Sequence, residues 1–379
     1  MQNEFAEIIG FIENAFETWL QTLQFYGILR LSDMLKENNS MKRVSIRDVA
    51  KAAGVSITTV SKALNNYPDV KEETRKRIEQ IVQELNYVPD VAGRSMGGIT
   101  DPVIGLLINE LRPEEPSGAV YGFLSGVCQA CKDNGIEFVL ITTDTKAQTQ
   151  TTLKRLCLSK GLNGIVCSGF RLGDPFIEQM GELDIPCACI DMETGHPNVL
   201  DITVDNVQAA DDAVSFLIRS GRKNIALISG YSEADVSNRR VEGCRRAMER
   251  AGLSLPESRI VEGRFLEKVA YEKAKELLTR DPEVDAVFCI SDLMAFGACQ
   301  AAEELGRSVG QDISVVGFDD MPTAKYVYGG LTTIHQNFYA MGYSAGAQVY
   351  ERIFGQKSVG SPGELLYRLV VRGSAPEKA

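Results

Sequence analysis

Residues 45–66 read SIRDVAKAAGVSITTVSKALNN, and the spacing of their apolar positions governs the reading of everything around them. Ser45 followed by Asp48 has the form of a helix start, a side-chain oxygen for the free amides of the first turn and an acid at its positive end. Ile46, Val49, Ala50 and Ala53 then fall at i, i+3, i+4 and i+7, one face of a short helix. Gly54 stands where a tight turn needs positive φ, Val55 supplies an apolar plug, and Ser56 can cap a second helix whose Val60, Ala63 and Leu64 point inward. A third helix, from about Glu72 to Leu85, brings Ile78, Ile81, Val82 and Leu85 to the same core and carries Arg75, Lys76 and Arg77 outside. Helix, glycine turn and helix at this spacing make a helix-turn-helix.

A small helical subdomain with no nucleic-acid role would share that periodicity, so the exposed positions decide. The second helix offers Ile57, Thr58, Thr59 and Lys62 to the outside, methyl-bearing and hydroxyl groups plus one long donor. The N-terminal part of such a helix touches base edges in the major groove, where large hydrophobes or acids would be excluded. Arg43, Arg47, Lys51, Ser56 and Ser61, with the basic run at 75–77, are candidates for phosphate contacts that fix docking without specifying sequence. Residues 41–100 hold ten Lys or Arg against seven Asp or Glu, a net of +3, in a chain of 379 residues whose net charge is -11. That balance excludes a protein that coats nucleic acid or an anionic membrane with its whole surface. A basic module precedes an acidic one.

From Val103 onward, buried-strand runs alternate with amphipathic helices: VIGLLIN, EFVLIT, GIVC, PCACI, NIALIS, DAVFCI and ISVVGF. Such alternation predicts parallel α/β sheets, and the length exceeds what one sheet needs, so two Rossmann-like lobes are expected. Ligands bind such sheets beyond the carboxyl ends of the strands. The residues found there are Asp191, Asp205, Asn206, Ser291, Asp292, Asp319 and Asp320, groups suited to gripping hydroxyls. No dinucleotide fingerprint, P-loop, zinc-protease motif or nucleophile elbow follows a strand, so an enzyme built on two Rossmann lobes lacks its main supports. Nine cysteines scattered through apolar runs, and no secretory signal at the start, point to a reducing cytoplasm. Cys128 and Cys131 form a C-x-x-C in mid-helix without a second ligand pair, and neither metal nor cofactor is expected. Residues 5–35 are apolar at helical spacing, but Glu7, Glu13 and Glu17 interrupt any membrane span. Residues 1–40 are read as an extension or as the product of an early start assignment, because Lys36-Glu37 can be encoded as a ribosome-binding sequence just upstream of Met41.

The segment at 45–66, followed by VKEETRKRIEQIVQELNYVPDVAGRSM, resembles the head of the LacI/GalR repressor family. Further along, TVDNVQAADDAV, RRVEGCRRAMERAGL, SDLMAFGACQAAEELG, DISVVGFDD and LTTIHQNF are similar to family signatures in order and spacing. The resemblance implies a lambda-repressor-like helix-turn-helix domain over 41–88, a hinge helix and linker over 89–100, and an effector-binding, dimerising domain over 101–379 of the periplasmic-binding-protein-like type I. Its lobes would comprise about 101–203 plus 331–360, and about 204–330 plus the C-terminal strand. It implies a homodimer on a pseudo-palindromic operator, a small polar effector such as a sugar or sugar derivative between the lobes, and Met96 as the wedge in the minor groove. The effector contacts carried over are Asp191, Arg240, Ser291, Asp319, Gln336 and Phe338, with Phe265 as a second aromatic wall.

The departures bear on the ligand. Ser291 stands where the family commonly has Asn, Gly93 where it has Ala, Lys71 where a Ser or Thr would cap the third helix, and PSGAVYGF lacks the usual Asn-Pro-aromatic-aromatic run. Arg239, Arg240 and Arg264 could favour an anionic effector, a sugar acid or sugar phosphate, unless Arg239 and Arg264 are simply solvated. The alternative is a solute-binding protein of the same two-lobed fold, which would lack a DNA head. After Arg372 no leucine heptad suggests a tetramerising tail.

Overall fold

The computed structural model describes residues 46–64, 67, 69–85, 102–111, 118–360 and 367–377. Arg43, the Ser45 cap, the extension over 1–40 and the hinge over 89–100 with Gly93 and Met96 lie outside the described residues. The chain divides into two compact units, 1–100 and 101–379.

In the first unit, α1 (Ile46–Ala53), α2 (Ile57–Leu64) and α3 (Glu72–Glu84) close on a core of Val49, Ala50, Ala53, Val60, Ala63 and Ile78, with Ile81, Val82 and Leu85 packed against it. Each large aliphatic group removed from water there contributes about 1.5–3 kcal/mol. Between α1 and α2 the chain reverses at Gly54, φ +65°, and the Val55 N–H donates to the Ala50 carbonyl at 3.1 Å. A side chain at Gly54 would meet no neighbour, so backbone conformation alone calls for glycine. Ser56 caps α2, its Oγ accepting from the Thr59 N–H at 3.1 Å. Arg75 departs from the expected outer face. Its guanidinium donates to the carbonyls of Ala63 (3.3 Å) and Tyr67 (2.9 Å), where it ties down the C-terminal end of α2. Lys76 and Arg77 remain exposed.

The second unit holds two sheets. The first has strand order β2-β1-β3-β4-β5 and is parallel throughout, built from β1 (Val103–Asn109), β2 (Glu137–Thr143), β3 (Gly164–Ser168), β4 (Cys187–Ile190) and β5 (Val199–Ile202). All seven residues of β1 are buried, as a central parallel strand demands. One face is covered by α4 (Gly118–Asp133) and α12 (Phe338–Phe354), the other by α6 (Leu153–Lys160) and α7 (Pro175–Met180), with a short α5 (Thr145–Gln148) before α6. α4 and α12 touch backbone to backbone: a Cβ at Gly126 would lie 2.2 Å from the Tyr339 carbonyl oxygen.

The second sheet has order β11-β10-β9-β8-β6-β7, from β6 (Ile225–Ser229), β7 (Ile260–Glu262), β8 (Ala286–Cys289), β9 (Ser314–Asp319), β10 (Thr332–His335) and β11 (Arg368–Val370), with α8 (Asn206–Arg219), α9 (Asp235–Arg250), α10 (Glu267–Arg280) and α11 (Asp292–Glu304). Here one expected boundary is corrected. The stretch 331–360 does not pass whole into the first lobe, because Thr332–His335 is a strand of the second sheet, parallel to β9 and antiparallel to β11. Its side chains fix it there: the Thr333 hydroxyl donates to Asp292 at 2.6 Å, and the Thr332 hydroxyl to the Ala375 carbonyl at 3.1 Å. The crossing comes after β10. None of the nine cysteines is in a disulfide and eight are buried, only Cys128 being exposed, so the sulfurs serve mostly as small apolar filler.

Candidate functional site

The reading face of the first unit begins at the start of α2. Ile57 is 44% exposed and Thr58 is exposed beside it, while Thr59 is half-buried and its hydroxyl shares a hydrogen bond of 2.8 Å with Ser56. Lys62, on the same helix, is ion-paired with Asp69. Both partners are largely in water, so the pair is weak and can be exchanged for a phosphate or a base edge. On α1, Arg47 and Lys51 are exposed one helical turn apart. Ser61 is half-buried. The face thus carries two methyl-bearing groups, hydroxyls and long cations. Among the described residues of this unit, no polar side chain is buried.

The second unit has a cleft of about 210 Å³ between its lobes. As the strand rule required, its lining gathers at strand ends: Asn109 to Leu111 at the end of β1, Ser168 to Arg171 at the end of β3, Ile190 and Asp191 at β4, Tyr231 after β6, and Phe265 after β7, with Phe123 of α4 and Asp235 at the start of α9. Three lining residues hold positive φ without being glycine, Glu110 (50°), Asp191 (62°) and Phe265 (60°). Backbone strain of that kind gathers at ligand sites. Phe265 lies against Gly230, where a Cβ would be 2.2 Å from its ring, and meets Tyr231 edge to face at 5.3 Å.

Of the effector contacts expected from sequence, Asp191 and Phe265 line this cleft. The buried Arg240 and Gln336 gather around the half-buried Asp319, and Arg240 and Asp319 act on Asp191 through space. Arg240 is 2% exposed. Its Nε donates to Asn206 Oδ1 (2.8 Å) and its Nη1 to the Ile290 carbonyl (2.7 Å), Asp319 Oδ1 is 3.9 Å away, and the guanidinium lies 3.7 Å from the Phe318 ring centre. Gln336 Nε2 donates to Asp319 Oδ1 at 2.8 Å. Ser291 caps α11, accepting from the Met294 N–H, and Phe338 packs edge-on against Phe123 at 5.4 Å.

Burial sets the electrostatics of this cluster. It lifts Asp319 to about 7, against the pull of Arg240 and the Gln336 hydrogen bond. Burial also raises Asp191, resisted by Arg240, and raises Asp292 well above the carboxylate range, with Asp319 adding repulsion. One buried guanidinium therefore answers one buried and two half-buried carboxylates, and the surplus negative charge is relieved by protonation. Among the described residues, two buried acceptor atoms, Asp191 Oδ1 and Gln336 Oε1, receive no hydrogen bond, though Thr203 bonds the Asp191 carboxyl group.

The residues that sequence reasoning missed are Arg171 and Tyr231. Arg171 pairs with Glu110 and sits 4.7 Å over the Tyr231 ring, joining lobe to lobe, and the Leu172 N–H donates to the Glu233 carbonyl at 2.7 Å beside it. Both follow strands, so the rule applied to GIVC and NIALIS would have found them. The cations proposed to attract an anion are already neutralised: Arg239 holds Asp235 (2.7 Å) and Glu193 (2.9 Å), and the mostly exposed Arg264 holds Glu262 (3.2 Å).

Residues 45–90 match the model of bacterial regulatory proteins of the lacI family, and 101–366 match that of periplasmic binding proteins and the sugar binding domain of the LacI family. The chain is 31% identical over 337 residues to the HTH-type transcriptional repressor PurR of Salmonella paratyphi B, covering 88% of this chain and 97% of that one. It is 32% identical over the same length to PurR of Klebsiella pneumoniae. Among solved structures, the transcriptional regulator CelR–cellobiose complex superposes with a TM-score of 0.64 at 29% identity, covering 88% of this chain and all of that one. The lac repressor dimer bound to operator and the anti-inducer ONPF gives 0.72 at 24% identity with the same coverage, a likeness of fold.

Proposed function

Because this chain belongs to the LacI family of bacterial regulatory proteins, a DNA-binding transcriptional repressor with a ligand-binding domain, we propose that it acts as a homodimer on a pseudo-palindromic operator and that a small effector in the cleft sets its affinity for that DNA. The observation that carries the reading is the exposed start of α2, where Ile57 and Thr58 stand clear of the head's core. In this reading Ile57, Thr58, Thr59 and Lys62 meet base edges, and Arg47, Lys51, Ser56 and Ser61 meet phosphates. Arg43 and the Met96 wedge belong to the same proposal.

The effector is a small polar ring compound, a sugar or sugar derivative, as the cellobiose held by a similar regulator suggests. Asp191 and Phe265 touch it. Arg240 draws on Asp191, Gln336 holds Asp319 beside it, Ser291 positions α11, and Phe338 backs Phe123. A ligand that binds one lobe arrangement better than another shifts operator affinity by the same free energy that DNA shifts ligand affinity, typically about 1–3 kcal/mol.

The test is operator binding by fluorescence anisotropy with the DNA upstream of the protein's own gene. Thr58→Ala with Lys62→Ala should change the ranking of single-base operator variants by about 1–3 kcal/mol per lost good contact. An unchanged ranking would remove α2 from the interface.

A further inference from the structure

No acid stands on α2 itself, yet the turn after it brings one to the reading helix. Asp69 is ion-paired with Lys62, and both side chains are open to solvent, 53% and 42% exposed. The turn that presents Asp69 is anchored on either side of it. Before it, the Tyr67 N–H donates to the Lys62 carbonyl at 3.0 Å, and the Tyr67 carbonyl accepts from Arg75 at 2.9 Å. After it, Val70 packs against the head's core, and its N–H donates to the Tyr67 carbonyl at 3.3 Å. The Lys62 bond holds the Asp69 carboxyl below its ordinary titration range, so a negative charge is fixed there at neutral pH. Arg75, the neighbouring cation of α3, is turned to backbone carbonyls and to Glu72.

An exposed ion pair of this kind contributes little to folding, and its carboxylate is repelled by every phosphate of a duplex. Its effect falls on where Lys62 can go. An ammonium carries three N–H donors. With one on Asp69, two are left for the paired acceptors, O6 and N7, of a guanine edge. A swing of Lys62 to the DNA backbone breaks the Asp69 bond and leaves the carboxylate against the polyanion. On the reading of α2 as the element that enters the groove, we propose that Asp69 is a positioning residue that determines specificity: it aims Lys62 at a base edge and penalises its use on phosphate. The head gives up affinity for DNA at large and gains discrimination.

The experiment starts from a duplex that the full-length protein selects out of a random pool, and compares binding to it and to a scrambled duplex of the same composition by fluorescence anisotropy. Asp69→Asn keeps the shape and removes the charge. It should tighten the scrambled duplex by about five- to tenfold at about 0.1 M salt and the selected one by less than about twofold, so that their ratio falls. Asp69→Glu, with the charge retained, should keep the ratio near that of the original protein. In a Lys62→Ala background, Asp69→Asn should move both duplexes by the same factor, because no ammonium is left to aim. The proposal is overturned if Asp69→Asn moves both duplexes equally in the otherwise unaltered chain, if it leaves both unchanged or raises the ratio, or if the fall in ratio persists without Lys62. Equal movement would make Asp69 an ordinary surface charge, and persistence without Lys62 would make it a base contact in its own right. A pool from which no sequence is enriched would sink the regulator reading and this proposal with it, whereas an enriched sequence with any of the other contrary results would sink only the proposal.

Discussion

The two units treat polar groups in opposite ways. In the head, every buried residue among those described is apolar, and the groups that can recognise something, Ile57, Thr58, Lys62, Arg47 and Lys51, stand at the surface. In the sensor, a guanidinium, several carboxylates and amides lie inside, and most are bonded to one another. A head residue can therefore change partner at little cost to folding. A sensor residue that changes partner alters the stability of the lobe that holds it. The contrast teaches where specificity and coupling reside, and it can be attacked at both ends.

The largest expected effect is at Arg240. Replacing it with Ala leaves Asp191, Asp319 and Asp292 without their buried cation, and breaking such a buried network costs about 3–5 kcal/mol. Amide hydrogen exchange followed by mass spectrometry should show faster opening across β6, β8 and β9, with the head's α1 to α3 unaffected. Arg240→Met, which keeps much of the volume without the charge, should remain impaired because the carboxylates still lack a partner. Wild-type exchange in either variant would show that the sensor does not depend on its internal charges.

Next comes the pH dependence set by Asp319. An unfolded aspartate titrates near 3.8 and the folded one near 7. Between those values the folded state holds a proton that the unfolded state lacks, so stability of the ligand-free protein falls as pH rises through that window and levels off above it. Asp319→Asn, which can keep a hydrogen bond to Gln336, should flatten this contribution in urea titrations from pH 4.5 to 8. Parallel pH profiles for variant and wild type would contradict the assignment.

The head was the more legible unit because its information is local. Helical spacing at Ile46, Val49 and Ala50, the turn at Gly54 and the cap at Ser56 are all settled within a few residues of themselves. Strands such as Val103–Asn109 were equally plain, since burial on both faces leaves an unbroken apolar run. What escaped depends on long-range partners. Thr332–His335 carries nothing that says which sheet it joins until Thr333 meets Asp292, and Arg75 reads as a surface cation until it reaches carbonyls of α2. Arg171 and Tyr231 make sense only as a pair across the cleft. Ser291 and Phe338, expected at the ligand, each have local work as well, a helix cap and an aromatic contact.

A smaller effect tests the head's backbone without touching its chemistry. Gly54→Ala places a Cβ in open space but at φ +65°, a strain of about 1–2 kcal/mol for an L-residue. The head's exchange rates should rise by that amount while base preference at saturating protein stays as it was. Altered base preference without destabilisation would mean that the turn itself reads DNA.

The smallest expected change is at Lys51, and it separates docking from reading. Lys51 is exposed in the last turn of α1 and belongs to no buried network, so Lys51→Ala should leave the fold of both units intact. If it meets a phosphate, its loss removes one counterion-releasing contact, and the slope of log affinity against log salt should flatten by about 0.9. Matched and mismatched operators should weaken alike, because a phosphate contact carries no base information. A change in base ranking comparable to that of the Thr58 and Lys62 pair would mean that α1 reads sequence as well. A null result, with slope and affinity both retained, would place the phosphate contacts elsewhere on the head. In the sensor no charge inside the Arg240 cluster could be removed so quietly, since each is bonded to, or held in the field of, the others.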